Sequence, residues 1–332
     1  MLKIAIVGLG TVSAIHKSAI NASELGKLVA VCDIDPRKKA DLPSEVSFYT
    51  DLKEMLIHEE LDCVHICLPH YLHTCAIELC ATYGRHVFTE KPLALTEKEG
   101  KTILHLEDKY AVKIGVCFQN RYNDTIVHLK NLLENDNYGK LICSKGIVTW
   151  CREMSYYQEA TWRGEKDKSG GGVMINQAIH TLDLLSYLGG EFDSLEGKVA
   201  NFALKETEIE DSVMCRLDYQ KGGTCIFFAT IAYGDNSEVE LEFVYEKAKF
   251  SIHNHNLYKT EGNTTVSLAV DQTLEGGKEY YGASHGIAVK KFYQAILANN
   301  LDYISMSEGL YAIKVMDAIF ASSSENMNKI IL

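Results

Sequence analysis

The length, composition and charge of the chain already exclude several classes of protein. Its 332 residues are enough for about two domains of ordinary size, so a peptide-sized or disulfide-stapled scaffold is excluded. With 33 Lys and Arg against 45 Asp and Glu, the net charge is −12, which repels phosphate backbones and anionic lipid surfaces. We therefore expect no nucleic-acid partner. No apolar run approaches the roughly 18 residues of a membrane span, so we expect no membrane partner either.

The cysteines favour a reducing compartment. Most of the ten lie in apolar, strand-like runs, as Cys32, Cys63 and Cys67 do, where a free cysteine behaves as a small buried hydrophobe. There is no Cys-x-x-Cys pattern and no paired cluster with zinc spacing, so we expect no metal site. The first residues are interpreted as a strand rather than a secretory signal, and we expect a cytoplasmic location.

In the first 118 residues, short buried strands alternate with helical patterns. Apolar runs predict strands at 3–7, 28–32, 63–68, 86–89 and 112–118. Between them, a helix over 72–83 has apolar residues three and four apart and ends at Gly84. Another helix begins at Thr96, where Glu99 completes a capping box. This alternation predicts crossover connections and a mostly parallel, doubly wound sheet in a domain spanning residues 1–120.

The second half of the chain has longer strand patterns joined by turn residues. Strands are predicted at 141–151, 213–219, 224–231 and 238–245, and helices at 174–188, 287–298 and 308–322. These patterns predict an α+β domain over residues 121–332, with a large, open, mostly antiparallel sheet and helices on one side. The fold class is α/β overall.

A glycine motif follows the first strand and opens a helix. Gly8 and Gly10, followed by Thr11 and Val12, allow a tight turn and a close approach of backbone to a pyrophosphate. The N–H groups and dipole at the helix N-terminus stabilise the negative charge of that group. Ser13 stands in place of the usual third small residue and is small enough for close packing of helix and strand. The sequence therefore predicts an N-terminal Rossmann domain that binds a dinucleotide.

A carboxylate at the end of the second strand indicates which dinucleotide is bound. Asp33 lies 20 positions after Ser13, the spacing at which a carboxylate reaches the adenosine ribose hydroxyls and repels a 2′-phosphate. With Ile34 beside it, this residue favours NAD. Arg37 and the two lysines after it could instead receive the phosphate of NADP, so NADP stays possible, although we prefer to interpret them as a solvated helix start.

Several further motifs resemble one family. They are the segment 67–73, the Glu-Lys-Pro triplet at 90–92, and the segments 118–122, 162–164 and 170–183. Taken in register with the glycine motif, they resemble the glucose–fructose oxidoreductase, inositol dehydrogenase and rhizopine-catabolism family (Gfo/Idh/MocA) over nearly the whole chain. The resemblance implies hydride transfer between NAD(P) and a secondary alcohol carbon, usually on a sugar, inositol or related polyol.

The resemblance also implies which residues act. The family's lysine corresponds to Lys91 and its histidine to His180, and a partly desolvated ammonium near the nicotinamide can exchange a proton with the reacting hydroxyl. Asn176 stands where the family usually has aspartate; it can bond a hydroxyl but cannot take a proton. Proton transfer then rests on Lys91 and His180, and Asp183 could orient the His180 ring.

Other candidate residues flank these motifs. Those expected at the cofactor are Leu68, Pro69, His70, His73, Glu90, Lys91 and Asn120. Those expected at the substrate are Arg121, Tyr122, Trp162, Arg163, Asn176, His180 and Tyr281, with His285 as a less specific candidate. For His73, Trp162, Tyr281 and His285, packing explains the residue type as well.

Two other functions share these motifs. A redox-neutral glycosidase or epimerase would oxidise a sugar carbon and reduce it again on a retained NAD. A cofactor-bound regulator without catalysis is suggested by Asn176, although Lys91 and His180 argue against it. The broad second sheet needs its open face covered, so we expect a homodimer or homotetramer, as in relatives.

Overall fold

The computed structural model describes residues 1–272 and 284–332, and the chain forms two compact units. The first comprises Met1–Gln119 and Ser284–Leu310, and the second Asn120–Ala283 and Tyr311–Leu332. In the described ranges, no helix combines the length and apolar character that a membrane crossing requires.

The first unit contains a six-stranded parallel sheet. Its strands are β1 (Leu2–Val7), β2 (Gly26–Cys32), β3 (Ser47–Tyr49), β4 (Cys63–Ile66), β5 (His86–Thr89) and β6 (Ile114–Val116). The spatial order β3-β2-β1-β4-β5-β6 reverses direction at β1, which is the doubly wound order of a Rossmann domain. All five strand pairs are parallel, as the sequence predicted. The short β3, whose three residues are only half-buried, carried too little apolar signal to be predicted.

Helices connect and cover the strands of both units. In chain order they are α1 (Ser13–Asn21), α2 (Leu52–His58), α3 (His73–Thr82), α4 (Glu97–Ile103), α5 (Leu106–Tyr110), α6 (Asp124–Asn135), α7 (Met154–Gln158), α8 (Lys166–Ser169), α9 (Ile179–Gly189), α10 (His285–Ala298) and α11 (Met306–Ser324). Short 3₁₀ turns span Pro36–Asp41, His70–Leu72, Gln119–Tyr122 and Thr161–Gly164. The capping hydrogen bond predicted at the start of α4 is present, because the Glu99 N–H donates to the Thr96 hydroxyl at 3.2 Å.

Helix α10 returns to the first unit, although the sequence alone placed it in the second domain. The physical reason lies in the core of the first sheet. His65 stands on the buried β4, and its Nε2 atom is 2.8 Å from the hydroxyl of Tyr293 on α10. Phe292 of α10 packs against Phe88 of β5, with ring centroids 5.3 Å apart. The long separation in sequence hides these contacts.

The second unit is built on a nine-stranded sheet. Its strands are β7 (Leu141–Thr149), β8 (Phe192–Ala200), β9 (Ser212–Tyr219), β10 (Thr224–Thr230), β11 (Glu240–Tyr245), β12 (Lys249–His253), β13 (Asn256–Glu261), β14 (Thr264–Val270) and β15 (Ile330–Ile331). The spatial order is β14-β13-β12-β11-β7-β10-β9-β8-β15. Every pair is antiparallel except β7 with β10, so the prediction of a mostly antiparallel sheet is confirmed.

One face of this sheet packs against α9. A Cβ atom at Gly146 of β7 would lie 2.7 Å from a methyl of Leu185, so the close approach of helix and strand depends on glycine there. The first turn of the helix predicted at 174–188 differs from an α-helix. Met174–Ala178 is a π-helical turn, and the α-helix proper begins at Ile179.

Candidate active site

The glycine turn after β1 has the shape that a dinucleotide pyrophosphate requires. Gly8 has φ +87°, and a Cβ there would lie 2.5 Å from the Cys67 carbonyl oxygen, so no other residue fits. At Gly10 an added Cβ would meet nothing within 4 Å, which leaves open space beside the start of α1. The turn therefore offers backbone N–H groups and free volume at a helix N-terminus.

The carboxylate at the end of β2 is held in place by backbone N–H groups. Asp33 accepts hydrogen bonds from the N–H of Leu9 at 2.6 Å and of Asp35 at 2.9 Å. Burial raises the pKa of Asp33, but these bonds and Lys38 outweigh burial and lower the pKa, so the group is ionised at neutral pH. Asp33 is therefore a fixed, negatively charged hydrogen-bond acceptor at the end of β2.

The basic residues after Asp33 divide into two roles. Lys38 is not simply solvated, because its Nζ lies 2.7 Å from the Leu9 carbonyl oxygen and 3.1 Å from Asp33 Oδ2. Arg37 forms two hydrogen bonds with the Asp35 carboxylate and is 88% exposed. Ile34 is 90% exposed and offers an apolar surface beside the end of β2.

Lys91 is the second residue after β5 and is partly buried. Burial lowers the pKa of its ammonium, and the Glu90 carboxylate offsets part of this effect. Glu90 itself is buried, and its Oε1 lies 2.8 Å from Nε2 of His16 on α1. Burial thus favours the neutral amine, which is the form of lysine that can accept a proton.

The segment 67–73, at the end of β4, positions the residues around Lys91. Both ring nitrogens of the fully buried His73 lie near backbone carbonyls, Nδ1 at 2.6 Å from Pro92 and Nε2 at 2.8 Å from Leu68. These contacts join the segments that follow β4 and β5, and a place for His73 at the cofactor stays a prediction. Pro69 precedes the 3₁₀ turn in which His70 is buried.

Asn120 begins the second unit. Its Oδ1 atom is buried and accepts no hydrogen bond from any residue that the structure describes. Tyr122 is half-buried in the same 3₁₀ turn.

In the second unit, Asn176 lies in the π-helical turn and His180 at the start of α9. His180 is 4% exposed. Asn176 Nδ2 donates to the hydroxyl of Tyr156 at 3.4 Å. π-helical turns are frequent at functional sites because they change the direction in which neighbouring side chains project.

Tyr156 was missed by sequence reasoning. Besides its contact with Asn176, its ring lies under the Arg163 guanidinium at 4.2 Å, and its carbonyl accepts from Arg163 Nη1 at 3.0 Å. Trp162 is adjacent and half-buried. Tyr156 lies on the short α7, outside every motif, so the sequence alone did not indicate it. The structure thus joins Asn176, Tyr156 and Arg163 in one cluster.

Arg121 and Asp183 form a buried ion pair. The guanidinium donates to the carboxylate through Nε at 2.8 Å and Nη2 at 2.6 Å, and the two residues are 7% and 2% exposed. Arg121 also lies 4.6 Å from the centroid of the Tyr187 ring. The pairing ties the start of the second unit to α9. That Asp183 orients the His180 ring and that Arg121 contacts the substrate stay predictions.

A buried carboxylate supports the glycine run before the π-helical turn. Glu210 accepts hydrogen bonds from the N–H groups of Gly172 at 2.8 Å and Met174 at 3.1 Å. Burial raises the pKa of Glu210 to about 7. The sequence gave no indication of this residue.

Tyr281 lies outside the described residues, and His285, at the start of α10, is 3.9 Å from Glu90.

Comparisons with known proteins match both halves of the chain. Residues 2–118 match the family domain described as "Oxidoreductase family, NAD-binding Rossmann fold", and residues 130–332 match "Oxidoreductase family, C-terminal alpha/beta domain", both of the Gfo/Idh/MocA group. An uncharacterised oxidoreductase of Synechocystis is 26% identical, covering 95% of this chain and 92% of its own. The glucose-6-phosphate 3-dehydrogenase of Bacillus subtilis is 23% identical, covering 98% and 97%.

Solved structures show the same architecture. The WlbA dehydrogenase of Bordetella pertussis, crystallised with NADH and UDP-GlcNAcA, is 26% identical with a TM-score of 0.87, covering 100% of this chain and 98% of its own. The first unit is thus an NAD-binding Rossmann domain.

Proposed function

Because this chain belongs to the Gfo/Idh/MocA oxidoreductase family, in which it is an NAD-dependent dehydrogenase, we propose that its substrate is a sugar, inositol or related polyol oxidised at a secondary alcohol carbon. When bound, NAD would supply the acceptor for the hydride of that carbon. The observation that carries the proposal is Lys91, whose pKa is lowered by burial and which follows β5 in the unit that holds the dinucleotide turn.

The chain's own residues have separable tasks. The Gly8 to Gly10 turn and Asp33 bind the cofactor, and we assign its adenosine end to the surface near Ile34. Lys91 in the neutral form takes the proton of the reacting hydroxyl.

In the second unit, His180 is the second proton-exchanging group. Asn176 orients a hydroxyl through hydrogen bonds, together with Tyr156. Arg163 and Trp162 offer a guanidinium and an indole face to the substrate. The named sugar substrates of the relatives support this class of substrate.

The test is a screen of NADH absorbance with sugars, inositols, sugar acids and nucleotide sugars, comparing wild type with Lys91→Met. We expect NADH formation with at least one polyol and a loss of at least about 100-fold in kcat for the variant. Substrate turnover without net NADH would replace the proposal with the redox-neutral glycosidase or epimerase. Binding of NADH with no turnover in any class would favour the regulator.

We also propose that the protein is a homodimer or homotetramer through the face of the nine-stranded sheet opposite α9. Met214 and Ile226 are 55% and 49% exposed on this face. Lys145 and Glu240 form an ion pair there, and charges of both signs allow a copy of the same surface to pair with it. Light scattering that gives the mass of one 37.1 kDa chain would refute this assignment.

A further inference from the structure

A chain of buried polar side chains runs through the first unit behind Lys91. Glu90 Oε1 is 2.8 Å from His16 Nε2, and His16 Nδ1 is 2.8 Å from His65 Nδ1. His65 Nε2 is in turn 2.8 Å from the Tyr293 hydroxyl. In this series of hydrogen-bonded side chains, His16, His65 and Tyr293 are at most 1% exposed and Glu90 is 7% exposed. Neither the dinucleotide turn nor the proton transfer assigned to Lys91 uses this chain.

The hydrogen bonds allow two proton arrangements. In one, His16 is a cation that donates Nε2–H to Glu90 and Nδ1–H to His65, and His65 donates its Nε2–H to the Tyr293 oxygen. In the other, a neutral His16 donates only to Glu90 and accepts at Nδ1 from His65, and the Tyr293 hydroxyl donates to His65. The first holds one more proton than the second. They therefore differ by one charge next to Lys91.

We propose that His16 is a positioning residue that carries the extra proton and cancels the charge of Glu90, so that Lys91 has no net negative neighbour and its neutral, proton-accepting form is favoured. This inference rests on the function proposed above for Lys91. His16 lies on α1, the helix that begins directly after the dinucleotide turn.

The surroundings of Glu90 favour the charged arrangement. An isolated carboxylate at this depth costs several kcal/mol, and a hydrogen-bonded cation offsets much of that cost. Burial lowers the pKa of the His16 ring, but its contacts with Cys67 and Glu90 outweigh burial and raise the pKa. The pKa of Glu90 would be raised by burial alone and is instead lowered by the His16 hydrogen bond.

Other titratable groups facing the pair do not supply the cation. His285 on α10, 3.9 Å from Glu90, has its pKa lowered by burial to about 4, so it is neutral at pH 7. Burial likewise lowers the pKa of His65 and of His73, which faces Lys91 from α3. The Cys117 thiol, after β6, has its pKa raised by burial and stays protonated.

The same atoms could also suit a metal ion. The ligand atoms of His16, Glu90 and Cys117 lie within 4.8 Å of one another. However, a hydrogen bond of 2.8 Å between His16 and Glu90 explains their approach with a proton alone. Metal analysis of the purified protein distinguishes the two, and one equivalent of a tightly held transition metal would overturn the proposal.

The decisive experiment measures the protonation of Lys91 without a substrate. The full-length protein is labelled with an amine-acylating reagent over a pH series, and mass spectrometry follows the peptide that contains Lys91. His16→Gln removes the cation that offsets the charge of Glu90, so we expect the midpoint of Lys91 labelling to rise by about one pH unit. Below that midpoint, labelling of Lys91 should be about tenfold slower than in wild type. The double variant His16→Gln, Glu90→Gln removes both charges, and we expect the midpoint to return to that of wild type.

A purely structural role of His16 predicts a different pattern, in which the double variant is at least as perturbed as the single one. That result, or an unchanged midpoint in His16→Gln, overturns the proposal. Tyr303→Phe is the matched control. It removes a partly buried hydrogen bond to Glu107, 2.7 Å long, elsewhere in the same unit, and we expect it to leave the midpoint unchanged.

Wild-type protein provides a measurement that needs no folded variant. The ¹⁵N chemical shifts of the His16 ring at pH 7 are expected to show both nitrogens protonated, and a neutral ring would refute the inference. Once a substrate is known, the pH profile of kcat/KM moves in the same direction as the labelling midpoint. If Lys91→Met keeps its activity while the labelling shifts occur, the proposed function of Lys91 fails and the charge assignment stands.

Discussion

The buried pair between Arg121 and Asp183 gives a quantitative test of the second unit. Asp183→Asn removes the anion from a guanidinium that is 7% exposed and held by bonds of 2.8 and 2.6 Å. Removing one partner of such a pair costs about 3–5 kcal/mol, because the other charge stays buried and uncompensated. For a unit of this size, the corresponding fall in Tm is about 10 °C.

The assay uses intrinsic fluorescence, because both tryptophans, Trp150 and Trp162, lie in the second unit. Glu134→Gln on α6 is the matched control. It breaks a 3.4 Å ion pair with Lys130 whose side chains are 28% and 58% exposed, and we expect a cost below about 1 kcal/mol. The double variant Arg121→Met, Asp183→Leu buries no charge and is expected to recover most of the lost stability.

Two results would refute this reasoning. In the first, Asp183→Asn unfolds at the same temperature as Glu134→Gln, which would show that the Arg121–Asp183 pair adds no more stability than an exposed ion pair. In the second, the double variant is stable, but its KM for the polyol is at least tenfold higher than that of wild type. Arg121 would then be a residue that binds the substrate.

Three further predictions follow from single sites. Gly10→Ala should leave Tm within about 1 °C of wild type but weaken NADH binding at least tenfold, because the added Cβ enters open space beside α1. Gly8→Ala should also lower the stability, because its Cβ overlaps the Cys67 carbonyl. Calorimetric titration measures the binding and thermal unfolding the stability, and equal effects of the two variants would contradict the proposed fit of the turn to the cofactor. Lys38→Ala removes the cation beside Asp33, so NADPH affinity should fall about tenfold relative to NADH in fluorescence titrations, and an unchanged ratio would place any 2′-phosphate elsewhere. Glu210 binds a proton more tightly in the folded state, where its pKa is about 7, than in the unfolded state. The free energy of unfolding should therefore fall as the pH rises from about 4.5 to 7 and become constant above that. Urea titrations at several pH values measure this slope, which should be absent in Glu210→Ala.

Much of the fold and part of the site could be predicted from the sequence, because their signals are local. The strands of the first sheet are short apolar runs, and the turn at Gly8 needs glycine for a backbone reason that any chain with this geometry shares. The positions of Asp33 after β2 and Lys91 after β5 follow from the parallel order of the strands. The capping bond between Glu99 and Thr96 spans three residues and needs no tertiary contact.

Only the tertiary structure decided which distant polar groups meet. His16, His65 and Tyr293 look like isolated residues in apolar patterns, and their hydrogen bonds join positions up to 228 residues apart. The return of α10 to the first sheet, the pairing of Arg121 with Asp183 and the support of the glycine run by Glu210 have the same character. Local periodicity specifies which face of an element is buried, whereas the partner of a buried charge depends on how the elements are packed.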